Sequence, residues 1–88
     1  MLNPGEKIKE LEDQGYTVFV EHWRYADKEG NLLPRGGATY VDIYWGSDPV
    51  GFGEAHCHKD DNYNKRLGLT IALGRAIKDQ RHPAIIVV

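Results

Sequence analysis

The stretch GFGEAHCHKDDNYNKRLGLTIALGRAI, residues 51–77, changes character midway. Its first part alternates small and large side chains with period two, as a strand does when one face meets a core. Its last part spaces Gly68, Ala72 and Ala76 four apart. In a helix that spacing makes a ridge with almost no side chain, along which another backbone can approach closely. Gly68 and Gly74 each cost a helix about 1 kcal/mol relative to Ala, so a packing reason is expected for both. The stretch predicts a strand leading into a helix that docks tightly, its ridge against Ala55 and Cys57. Asp60, Asp61 or Asn62 is the expected helix cap, and the helix is expected to run to about Gln80, with Lys78 and Arg81 at the negative end of its dipole.

Upstream, ATYVDIYW (38–45) reads as a second strand and YTVFVEHWRY (16–25) as a first, both rich in β-branched and aromatic residues. GSDPVG between the second and third strands reads as a turn, and DKEGNLLPRGG (27–37) as a long mobile hairpin loop. Asn3-Pro4 signals a helix start, with Glu6 placed for a capping-box closure and Gly15 for a left-handed stop. HPAIIVV (82–88) reads as a short final strand. The order α-β-β-β-α(-β) predicts a two-layer α+β fold: an antiparallel three-stranded sheet with both helices on one face.

Side-chain parity then sorts the faces. Thr39, Val41, Ile43 and Trp45, with Gly51, Gly53, Ala55 and Cys57, form the expected helix-facing set. Strand one is ambiguous, because Val18 and Val20 oppose Phe19 and Trp23. Tyr40, Asp42, Tyr44, Phe52, Glu54, His56 and His58 are left on the outer face. An exposed patch of this kind marks an interface more often than idle surface. Tyr40, Tyr44, His56 and His58 are the expected partner contacts, with Asp42 and Glu54 at the rim.

Eighty-eight residues, 41% hydrophobic and 27% charged, make one small domain (1–88). No apolar run reaches the roughly 20 residues of a membrane span, and MLNPGEKIKELE has no apolar signal core. The single Cys offers no internal disulfide. A cytoplasmic location is expected, with no membrane contact. Net charge is −2 but divided: residues 1–58 hold five Lys/Arg against ten Asp/Glu, and residues 59–88 hold six against three. The basic end, through Lys59, Lys65, Arg66 and Arg75, is the candidate nucleic-acid surface.

His56-Cys57-His58 admits a metal reading, with Asp42, Glu54 or His22 completing the set. Their spacing forms no ligand signature, and no metal or other cofactor is expected. A nucleophilic Cys57 is disfavoured, since adjacent strand residues point to opposite faces and a core-facing thiol is inert. No paired-carboxylate, Ser-His-Asp or complete dinucleotide pattern is present, so no enzyme is expected.

The α-β-β-β-α order resembles the double-stranded-RNA-binding domain, which implies reading of A-form shape through phosphate and 2′-hydroxyl groups. At the place of that family's lysine cluster this chain reads Lys59-Asp60-Asp61-Asn62-Tyr63-Asn64-Lys65-Arg66, with two aspartates that repel phosphate. Gly53-x-Ala55-x-Cys57-x-x-x-Asp61-x-Tyr63, followed by Gly68, Ala72 and Arg75-Ala76, is similar to a pattern in small proteins encoded by bacteriophages and prophages. That resemblance covers about a third of the chain. It implies a phage accessory protein, a class that includes inhibitors of host machines such as CRISPR nucleases. The expected partner is therefore a host or defence protein, with a homodimer also possible.

Overall fold

A computed structural model describes residues 3–79. Helix α1 (Pro4–Asp13) is followed by strands β1 (Tyr16–Trp23), β2 (Arg35–Trp45) and β3 (Asp48–Asn62), then helix α2 (Lys65–Lys78). The sheet is antiparallel in the order β1-β2-β3. The fold is α+β, as the order of elements predicts. The expected final strand 82–88 lies outside the described residues, as does Arg81. No helix among the described residues is long and apolar enough to cross a membrane.

Both helices lie on one face. Ile8 and Leu11 of α1 and Ala72, Leu73 and Ala76 of α2 pack on a common core with Val41, Ile43, Val50 and Ala55. Asn3 caps α1 by accepting from the Glu6 N–H at 3.3 Å, and Gly15 leaves it with φ of 103°. Asn64 caps α2, accepting from the Leu67 N–H at 3.0 Å. The cap thus falls beyond the expected Asp60, Asp61 or Asn62, because β3 runs on to Asn62 and pairs it with Arg35.

The small ridge of α2 does what its spacing promises, on partners one step away from those expected. A side chain at Gly53 would strike the Ala72 carbonyl and the Ala76 N–H, and one at Gly51 would strike the Ala76 carbonyl. Gly68 faces the Thr39 side chain rather than Cys57. Gly74 has nothing within 4 Å of where a Cβ would stand, so its glycine has no packing reason.

The segments that join the strands differ from expectation. The β2–β3 turn is only Gly46-Ser47, with Gly46 at φ 62°, and Asp48-Pro49-Val50 belong to β3. Between Ile43↔Gly51 and Tyr44↔Pro49 the register slips, and the inserted Val50 forms a bulge. Val50 and Gly51 are consequently both buried. β2 starts at Arg35, so Gly36 and Gly37 are strand and not loop. A side chain at Gly37 would meet the Trp23 carbonyl and the Tyr63 ring. Finally, the expected mobile loop is knitted. Ala26 bridges Leu32, and Asp27 Oδ1 accepts from the Glu29 N–H at 3.0 Å and the Asn31 N–H at 2.9 Å. The Asn31 backbone bond is the main reason the Asp27 carboxyl lies below its ordinary range.

Candidate functional site

Among the described residues no helix lies over the outer sheet face. In register across the strands stand four rows: Thr17–Tyr44–Pro49, Phe19–Asp42–Phe52, Glu21–Tyr40–Glu54 and Trp23–Ala38–His56. Strand one, ambiguous in sequence, is one-sided: Tyr16, Val18 and Val20 are half-buried towards the helices, while Phe19 is 55% and Trp23 61% exposed. Those two rings therefore join the outer face, enlarging it beyond the residues parity alone assigned.

The rings organise one another. Phe19 stands edge-on to Tyr44 with centroids 5.5 Å apart, and Tyr40 stacks on Phe52 at 6.2 Å. His56 meets Tyr40 edge-on at 5.9 Å, and its Nε2 lies 3.6 Å from Glu54 Oε2. Trp23 Nε1 donates to Glu21 Oε2 at 3.0 Å. Beside these rings a hollow of about 350 Å³ opens between Trp23, Tyr40 and His56, floored by Ala38. Edge-to-face and offset rings hold each other at little entropic cost, which preorganises a contact surface.

The expected contacts fare differently. Tyr40, Tyr44 and Asp42 are half-buried on the central strand, and Glu54 and His56 are exposed on β3. Asp42 stands at the centre of the face and not at its rim, because β2 is the middle strand. His58 is not gathered with the rings. It lies past Gly37↔Cys57, where regular pairing stops, and its Nδ1 accepts from the Asp60 N–H at 3.1 Å. The rival basic residues are also dispersed in role. Lys59, Lys65 and Arg66 are exposed around the start of α2, whereas Arg75 donates to the Glu54 carbonyl at 2.7 Å.

A second constellation lies on the helix side. His22 Nδ1 is 3.0 Å from Thr39 Oγ1 and 2.7 Å from the Tyr63 hydroxyl, and these two oxygens are 2.9 Å apart. The Arg24 guanidinium lies 5.3 Å from the centre of the Tyr63 ring and donates to the Leu33 carbonyl at 2.8 Å. Burial, then the charge of Lys65, pushes the His22 imidazole below its ordinary 6.5. His22 and His56 occupy opposite faces of the sheet, so they cannot share a metal ion. Among the described residues no group of three or more His, Cys, Asp or Glu is arranged to hold one.

Cys57 is half-buried, and its Sγ lies 3.3 Å from the Asp61 carbonyl and 3.5 Å from that of Asn62. The thiol ties together the irregular end of β3. With Gly53 under Ala72, Tyr63 against Gly37 and Gly68 against Thr39, the Gly-Ala-Cys-Asp-Tyr pattern describes how α2 docks. Comparison with protein-family models, with curated proteins and with solved structures found no match.

Proposed function

We propose that this chain is a non-enzymatic binding module that acts by occluding a protein partner with its outer sheet face. The carrying observation is the ring-ordered surface of Phe19, Trp23, Tyr40, Tyr44, Phe52 and His56, which no helix among the described residues covers. Large aromatic side chains on a rigid sheet are the usual anchors of protein interfaces. The resemblance of the Gly-Ala-Cys-Asp-Tyr pattern to one in phage-encoded proteins is what supports a phage accessory role, with a host or defence machine such as a CRISPR nuclease as the target. Three carboxylates on the face, Glu21, Asp42 and Glu54, argue against pairing with a second copy, since like charges would meet.

The test is capture of partners from a bacterial lysate by the tagged full-length chain. Tyr40→Ala with Tyr44→Ala is expected to abolish capture without altering the thermal unfolding midpoint by more than a few degrees. Lys59→Ala with Lys65→Ala and Arg66→Ala is expected to leave capture intact. The opposite pattern, joined to binding of duplex RNA or DNA that weakens steeply with salt, would transfer the function to the basic start of α2.

A further inference from the structure

The geometry points to a cation-receiving site centred on Asp42, which takes an arginine side chain from the protein partner; this rests on the occlusion reading above. Asp42 is half-buried on the central strand, opposite Phe19 on one side and Phe52 on the other. Tyr40 and Tyr44 flank it two residues away along β2, on the same face. The four rings form two pairs, Phe19 with Tyr44 and Tyr40 with Phe52, so the carboxylate is framed by aromatic groups.

The other two acids of the face have partners of their own. Glu21 accepts from the Trp23 indole, and Glu54 faces the His56 ring. The Asp42 carboxylate has no hydrogen bond or ion pair with any described residue. No Lys or Arg stands in the four cross-strand rows. Arg24, near the hollow, is turned to the Tyr63 ring and the Leu33 carbonyl.

A partner that covers this face removes water from a carboxylate at its centre. That is strongly unfavourable unless the partner supplies a cation. An ammonium ion would satisfy the charge alone. A guanidinium does more: its fork binds a carboxylate through two parallel N–H bonds, and its flat faces stack on rings. It is also the less strongly hydrated of the two ions. The surrounding rings add a favourable cation–π contribution once water is excluded.

Fluorescence anisotropy of the full-length chain tests this with two labelled decapeptides, one alternating arginine with glycine and one alternating citrulline with glycine. Citrulline keeps the shape of arginine and lacks its charge. The arginine peptide is expected to bind at least about tenfold more tightly, as a charge-assisted pair beside aromatic rings requires. Asp42→Asn is expected to bring the two peptides within about twofold of each other, the charge-assisted pair being gone. Asp60→Asn with Asp61→Asn, remote from the face, is expected to keep the preference. Phe19→Leu, which leaves the charge in place, is expected to weaken the arginine peptide alone.

Equal binding of the two peptides by the unmodified chain overturns the site, whatever the variants do. So does a preference that survives Asp42→Asn. A chain whose mass doubles in light scattering, and halves again on Tyr44→Ala, assigns the face to a second copy and also overturns it. Loss of the arginine preference with capture still dependent on Tyr40 and Tyr44 removes this assignment and leaves occlusion standing. Capture indifferent to both tyrosines removes the occlusion reading itself.

Discussion

Gly53 and Gly74 are chemically identical and carry opposite obligations. Gly53 lies where the α2 backbone crosses the sheet, and any Cβ there would run into the Ala72 carbonyl. Backbone cannot step aside as a side chain can. Gly53→Ala is expected to cost at least the roughly 1–3 kcal/mol of an overpacked core. Gly74 lies in the middle of α2 with open space around it. Gly74→Ala is expected to stabilise by about 0.5–1 kcal/mol, through helix propensity and a less flexible unfolded chain. Urea denaturation of the two variants checks both signs. The sequence could not separate them, because a glycine in a helical pattern states its cost and not its reason. Asp42 shows a similar gap. Alternation placed it on the outer face, but only the strand order reveals that it stands between Phe19 and Phe52.

At the scale of elements, period-two alternation in β2 and β3 was legible because each strand has one apolar or small face and one ring-bearing face. β1 was not, since Val18 and Val20 compete with Phe19 and Trp23 on equal terms; α1 settles it by covering the valine side. The Val50 bulge was hidden inside a stretch whose Gly and Pro signalled a turn. Where β1 and β2 meet Tyr63, just ahead of α2, the His22–Thr39–Tyr63 cluster makes a prediction about pH. The folded imidazole takes up its proton below 6.5, whereas the unfolded one takes it up near that value. In the interval the unfolded chain binds more protons, so stability falls as pH drops below about 6.5. His22→Asn is expected to flatten that slope while keeping a polar group in place. Urea midpoints at about pH 7.5 and about pH 5.5 measure it, and an unchanged slope would assign the acid sensitivity elsewhere.

The molecule as a whole rests on a slender core. Among the described residues Leu73, Val41 and Thr39 are the largest fully buried side chains, and alanines fill much of the remainder of the core. Leu73→Ala is expected to cost about 2–5 kcal/mol, a large share of the about 5–15 kcal/mol that holds a domain together. A thermal midpoint lowered by less than a few degrees would show that the α2 seam matters less than its packing implies.

One detail of β3 bears on how copies behave when crowded. On its outer edge the Phe52 N–H donates to Asp79 and the Glu54 carbonyl accepts from Arg75. Side-by-side growth of sheets into fibrils needs two receptive margins per molecule. Here two groups of one margin are already engaged by the end of the helix above it, which hinders lateral accretion through the middle of β3 and lets concentrated stocks keep a ring-rich surface with less tendency to polymerise along that side.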